Sequence, residues 1–235
     1  MTKPEIRVGT IGYPVKKQLV RKSVDVVELT EAQSAPPNAS TARRWRKEAG
    51  PTLAFAVQLP RYLYETPPDK VPFDGSPEAY GQFRTTRENL ALFDKTLKFA
   101  QVMEAEEMVL LTPQEFTPTP ANRRALADFL QAAKLGGRRL VWEPRGPWEH
   151  DQAAGFANEM GVVLAVDPLR DQPLSGTVGY FRLGPFAVMG SRVGMYDLER
   201  LAEAAGSFER VTCVFATPHA LDDARNLKQV ISDYF

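Results

Sequence analysis

Val162-Val163-Leu164-Ala165-Val166-Asp167 is apolar at five successive positions and ends in a carboxylate. A strand with one wet face alternates polar and apolar residues. A run that is apolar on both faces, and too short for a helix, fits a parallel strand packed between helices and a core. Runs of this kind, rich in Val, Leu and Phe and closed by Pro or Gly, occur at 6–12, 24–29, 52–59, 107–112, 139–143, 178–183 and 211–215. The segments between them carry helical spacing. Thr85-Thr86-Arg87-Glu88 has capping-box form and precedes Leu90, Phe93, Leu97 and Ala100, so a helix opening at Thr85 is expected. Thr119-Pro120 opens another, with proline where its missing N–H costs nothing, and Gly136-Gly137 closes it. Further helices are expected over 40–49, 147–160, 196–205 and 221–231. The segment 168–177 is too short and too rich in Pro and Gly for a helix, and 15–22 is a poor one.

Eight β units alternating with about seven α units predict a (β/α)8 TIM-type barrel with one or two outer helices reduced to turns, occupying 1–235 as a single domain. An open doubly wound sheet is the alternative. It uses fewer strands, and its dinucleotide form needs a GxGxxG turn, of which Gly9-Thr10-Ile11-Gly12 keeps only part. The longest irregular stretch, 62–84, carries Pro67, Pro68, Pro72 and Pro77 and follows the third strand, so it reads as a βα loop over the barrel mouth.

In 235 residues, 29 Lys+Arg balance 29 Asp+Glu, so no bulk field announces a polyanionic partner, and no nucleic acid is expected. The basic groups Lys16-Lys17 with Arg21-Lys22, and Arg43-Arg44 with Arg46-Lys47, lack interleaved exposed aromatics and read as solvated helix faces. Asn38-Ala39-Ser40 reads as a loop and helix cap. A single cysteine, Cys213, excludes an internal disulfide and lies inside the eighth strand, where a buried, inert thiol is expected. No apolar signal core opens the chain and no run of about 18 apolar residues occurs, so no membrane partner and a cytoplasmic location are expected.

In a barrel, polar residues that terminate apolar strands form the functional face. Glu28, Glu143 with Arg145, Asp167 and Arg182 occupy such ends. Strand alternation sets Glu143 in step with Val141, Asp167 with Val163 and Ala165, and Arg182 with Val178 and Tyr180, so that each can face inward. Three carboxylates and two guanidiniums in one confined place should pair, because an isolated buried charge costs several kcal/mol. In the functional reading, a carboxylate raised by acidic neighbours acts as general acid or base while Arg145 or Arg182 holds an anionic group. The bland alternative is a salt lattice that only closes the barrel. Neither His150 nor His219 lies in a zinc pattern, so no cofactor is expected, although Glu28, Glu143 and Asp167 are of a ligand type that suits Mg2+ or Mn2+. The glycine-spaced loop 184–194 lies where barrels often bind phosphate, or is simply a loop that needs glycine to turn.

The strand ends and loops also carry a resemblance. Val8-Gly9-Thr10-Ile11-Gly12-Tyr13, Val26-Val27-Glu28-Leu29, the stretch Gly81-Gln82-Phe83-Arg84-Thr85-Thr86-Arg87-Glu88-Asn89, Val141-Trp142-Glu143-Pro144-Arg145-Gly146-Pro147-Trp148, Val166-Asp167-Pro168 and Tyr180-Phe181-Arg182-Leu183 follow in this order. In these the chain resembles the domain of unknown function 72 (DUF72, YecE-like) family, especially its shorter archaeal-type members. The resemblance implies a TIM-type barrel, and with it Tyr13 and Gln58 join Arg145 and Arg182 as candidate substrate-binding residues. The chain departs from the family pattern at Gln58 in place of Lys, Leu111 in place of Gln, Gly184 in place of His, and Ala216 and Thr217 in place of paired Asn. The family has no well-established reaction.

The expected function is therefore that of an uncharacterised barrel protein performing acid–base chemistry of hydrolase, lyase or isomerase type on a small anionic or sugar-like metabolite. Glu143 leads as catalytic group, with Glu28 and Asp167 as tuning or ligand carboxylates. The alternative is a lapsed ligand-binding or scaffold protein, suggested by the substituted polar positions. Nucleic-acid processing is the weaker third reading.

Overall fold

The apolar runs form strands, each bounded by the turn residues around it. The structure is a computed structural model that describes residues 3–68, 74–171, 176–184 and 192–235. Its strands are β1 (Glu5–Ile11), β2 (Val26–Leu29), β3 (Ala54–Gln58), β4 (Glu107–Thr112), β5 (Arg139–Pro144), β6 (Val163–Val166), β7 (Gly176–Leu183) and β8 (Phe208–Phe215). They follow chain order around a closed barrel, and the β1–β8, β1–β2, β3–β4, β4–β5, β6–β7 and β7–β8 ladders are parallel. Between them lie α1 (Lys17–Arg21), α2 (Ala39–Ala49), α3 (Arg87–Val102), α4 (Pro120–Ala132), α5 (His150–Met160), α6 (Met195–Ala205) and, after β8, α7 (Ala220–Tyr234). The two weak outer positions agree with expectation as far as they are described; residues 172–175 of the second lie outside the described part. α1 has five residues, and residues 168–171 make a turn closed by the N–H groups of Arg170 and Asp171 on the Asp167 carbonyl.

The chain falls into two compact units. One contains Met1–Leu29, Ala49–Phe55 and Val163–Phe235. Its spine is the β7–β8 ladder, in register from Gly176↔Phe208 to Leu183↔Phe215. α6 lays Leu198, Leu201, Ala202 and Ala205 on its buried face, and α7 does the same with Leu221, Ala224, Leu227 and Val230. That spacing of three and four is what turns one helical stripe to a core, and each large apolar side chain so buried contributes roughly 1.5–3 kcal/mol. At Gly9 an added Cβ would lie 1.8 Å from the Val26 carbonyl oxygen, so β1 can pass β2 here only with glycine.

The other unit contains Thr30–Glu48 and Ala56–Val162. Its core is aromatic: Phe83 meets Tyr64, Phe116 and Phe129 at ring separations of 5.5–5.8 Å, and Trp142 meets Trp148 and Phe156 at 4.9 and 5.4 Å. Helix α3 begins one residue later than the capping-box reading placed it. Thr86, not Thr85, is the cap; its hydroxyl oxygen accepts from the Asn89 N–H. Asn89 is fully buried, and its amide holds the chain before the helix, donating to the Gly81 and Arg84 carbonyls and accepting from the Gly81 N–H. This clamp fixes Gly81, Gln82 and Phe83, three successive residues with φ of 85°, 55° and 50°. Their N–H groups donate to the carbonyls of Tyr62, Tyr64 and Leu63. The stretch 62–84, expected as a loop, thus begins within a 3₁₀ turn, Arg61–Leu63, and contains a second at Pro77–Ala79 and a braced turn; its residues 69–73 lie outside the described part. Thr119 caps α4 as expected, with Pro120 in the first turn, but the helix ends at Ala132 because Ala133 turns to an extended ψ of 117°. Asn38 caps α2 through Oδ1, which accepts from the Thr41 N–H.

Candidate functional site

Glu28 and Arg182 lie 154 positions apart and meet. Alternation along β7 puts Tyr180 and Arg182 on one face, and both reach the Glu28 carboxylate at the end of β2. Arg182 donates from Nε to Oε2 at 3.0 Å and from Nη2 to Oε1 at 2.9 Å, while the Tyr180 hydroxyl donates to Oε2 at 2.8 Å. The Glu28 side chain is completely buried and that of Arg182 is 7% exposed. This is a two-point guanidinium–carboxylate contact in a dry place, where three donors satisfy one anion. Strand alternation set Tyr180 in step with Arg182, but the sequence reading gave it no role in the site. Its signal was its position two before Arg182 on the same strand.

Asp167 lies in the same unit, just past β6. Its Oδ1 accepts from the Leu169 N–H at 3.1 Å, its carboxylate also takes the N–H of Gly184, and Arg170 stands 3.5 Å away. Burial lifts the carboxyl above the ordinary aspartate value, against the pull of those two amides and of Arg170. The expectation that acidic neighbours would do the raising is corrected here: desolvation is the main cause, and the nearby Asp171 adds least. Its guanidinium partner is Arg170, one turn along, rather than either of the two arginines expected. Gly184, where a histidine was expected from the resemblance, contributes its backbone N–H. The rest of the glycine-spaced loop through Ser191 lies outside the described residues.

Tyr13, expected to touch substrate, has its ring beneath Lys17 Nζ at 4.9 Å and Arg21 at 5.9 Å. Tyr13 thus packs against the first basic group. Thr217 donates its hydroxyl to buried Asp223 at 2.5 Å, and Asp223 also accepts from the Val193 N–H. His219 is the residue before α7, and its carbonyl, not its ring, accepts from the Asp223 N–H. Cys213 is fully buried, which pushes its thiol far above the usual range and leaves it inert.

In the second unit, Trp142 turns to α5 and the opposite face of β5 carries Val141 and Glu143. Glu143 is half-buried, with 26% of its side chain exposed, and Arg145 Nε stands 3.6 Å from its Oε2 with 49% exposed. Leu111 is its register partner on β4. Gln58, at the end of β3, is buried and hydrogen-bonded through Oε1 to the amide of Gln33. Gln33 lies in the loop after β2, and nothing in the sequence pointed to it. Among the described residues, no group of three or more His, Cys, Asp or Glu side chains is placed to hold a metal ion. No helix of the described residues is long and apolar enough to cross a membrane.

A parallel barrel of eight strands, with polar and charged side chains at the ends of its strands, defines the class as TIM-type. Solved structures share this fold along nearly the whole chain. A DUF72 family protein from Enterococcus faecalis V583 superposes with a TM-score of 0.74 at 14% identity, covering 97% of this chain and 98% of its own. A DUF72 family protein from Thermotoga maritima MSB8 gives 0.66 at 14% identity, covering 97% and 99%. A xylose isomerase domain protein from Planctomyces limnophilus gives 0.55 at 14% identity, covering 99% and 96%. The chain thus has the fold that DUF72 family proteins have. No family sequence model and no curated protein matches it.

Proposed function

We propose that the chain is a DUF72-type barrel that performs acid–base chemistry on a small anionic or sugar-like metabolite, with Glu143 as the proton-transfer group and Arg145 as the anion contact. One observation carries this reading. Glu143 is a strand-end carboxylate that solvent, and hence substrate, can reach, whereas Glu28 is sealed behind Arg182 and Tyr180. A general base must come within hydrogen-bond reach of the proton it takes. Glu28 and Arg182, proposed from sequence as catalytic and substrate-binding groups, act in this reading as the brace of their strand ends. Asp167, whose carboxyl burial lifts above the ordinary aspartate value, serves in this reading as a proton donor in its own unit. The sugar-like class is supported by the name of the xylose isomerase domain neighbour, which is analogy of fold rather than of site.

A thermal-shift screen of sugar phosphates and sugar acids identifies the ligand, and turnover is then followed with Glu143→Gln and Arg145→Ala. Glu143→Gln is expected to lower turnover by about 10²–10⁴ with binding retained, and Arg145→Ala to weaken binding. Turnover unaltered in Glu143→Gln overturns the assignment. A second reading, a ligand-binding protein without turnover, draws on the apolar Leu111 beside Glu143 and on the closed Glu28–Arg182 pair. It predicts saturable binding and no conversion.

A further inference from the structure

We infer that the groove between α2 and α3 is a second binding site, for a small carboxylate with an apolar body. It lies wholly within one unit and goes beyond the acid–base reading. Its cavity of about 400 Å³ falls within the range of small-molecule sites. On α3, Leu92, Phe99 and Val102 recur at helical spacing and form an apolar wall opposite Pro37 in the segment that leads into α2. Leu92 and Phe99 are buried, and the Phe99 ring is held edge-on by Trp45 of α2 at 6.3 Å, so the wall is formed before anything binds.

The charge on the lining decides the head group. Its two ionisable residues are Lys95 and Lys98. Lys95 pairs with Asp74 at 2.6 Å, an exposed contact that a ligand carboxylate can replace at little cost. Lys98 has no carboxylate partner among the described residues. Ala39 at the rim is the first residue of α2, an eleven-residue helix without an acidic residue in its first turn, so the helix dipole adds positive potential at the same edge. An apolar wall with two lysines and no acid of its own complements an anionic head on an apolar body. A neutral apolar molecule leaves the lysines unused, and a cationic one meets them as like charge.

The test is calorimetric titration of the full chain at low salt with decanoate, decanol and decylamine, each kept below self-association. Saturable one-to-one binding of decanoate is expected, at least about fivefold tighter than decanol, with decylamine weaker still. Lys98→Glu is expected to weaken decanoate at least about fivefold and to remove its advantage over decanol. Ala35→Trp, on the exposed rim, is expected to fill the groove and abolish binding while leaving the melting midpoint in place. Decanol binding as tightly as decanoate, or decanoate binding unaffected by Lys98→Glu or by Ala35→Trp, overturns the inference. Neither variant touches Glu143 or Arg145, so turnover measured in parallel keeps its failure separate from that of the acid–base reading.

Discussion

Removing one partner of the Glu28–Arg182 pair tests whether this contact braces the strand ends. Arg182→Leu keeps a bulky apolar side chain on β7 but takes away both donors, the Nε contact at 3.0 Å and the Nη2 contact at 2.9 Å, from a carboxylate with no exposed surface. Leaving such a charge without its counter-ion costs about 3–5 kcal/mol. For 235 residues, at ~2.1 cal/mol/K each, the unfolding entropy is about 0.5 kcal/mol/K, so the expected fall in Tm is about 6–10 °C. Glu28→Met with Arg182→Leu removes both charges and should recover most of the loss, since apolar replacement of a buried pair is often neutral. The double variant still takes from Tyr180 the acceptor at 2.8 Å, a deficit of about 1 kcal/mol that Tyr180→Phe should relieve. Urea unfolding of wild type, both singles, the double and the triple supplies the cycle. A cost below about 1 kcal/mol for Arg182→Leu, or a double variant no more stable than the worse single, refutes the argument that the pair is dry and mutually dependent.

Asp167 sets a pH dependence. Its carboxyl is raised above 3.8, so between that value and the native one the folded state holds the proton more tightly than the unfolded chain does. Wild-type stability relative to Asp167→Asn should therefore fall as pH rises through this window and level off above it; a difference that grows in favour of wild type would reverse the sign. The α3 cap is tested by a neighbouring pair: Thr86→Ala should cost about 1 kcal/mol in urea unfolding and Thr85→Ala close to nothing, and equal effects would contradict the assigned cap. In α5, where a Cβ on Gly155 meets nothing within 4 Å, Gly155→Ala should stabilise by about 0.5–1 kcal/mol, while Gly9→Ala should destabilise by more than the 1–3 kcal/mol usual for overpacking because the obstacle is backbone. Circular dichroism melts of the two glycine variants, displaced in opposite directions, check both.

The order of elements was legible because each strand carries its own local signature. β4 begins and ends where its apolar run does, at Glu107 and Thr112. The misses have a shared cause. β8 starts at Phe208, three residues before its apolar run, because Arg210 pairs in register with both Glu5 and Val178 and the ladder holds polar residues that pattern alone assigns to a turn. β7 likewise begins at Gly176, a poor strand former carried by its partner Phe208. The cap of α3 slipped by one because Thr85 and Thr86 are alike in composition, and only the Asn89 clamp on Gly81 decides between them.

The candidate site was legible to the same depth and no further. Strand parity correctly joined Tyr180 to Arg182, because alternation is a property of one strand. Charge pairing set Glu28 in a network with Arg145 and Arg182 but left open which of them it meets, since choosing a partner across 154 positions depends on how the strands are arranged in space. Once partners are known, they reorder the candidates. A strand-end charge that finds a buried counter-ion has its donors and acceptors committed, and becoming a catalyst would mean giving up contacts worth several kcal/mol. Glu28 and Arg182 are such residues. Asp167 is intermediate, with two backbone amides and a largely exposed arginine holding a carboxyl that burial disfavours as an anion. Glu143 and Arg145, 3.6 Å apart, keep 26% and 49% of their side chains exposed, so solvent reaches both. The residues best able to meet a ligand are therefore those that solvent still reaches, and that ranking comes from burial, which residue type does not encode.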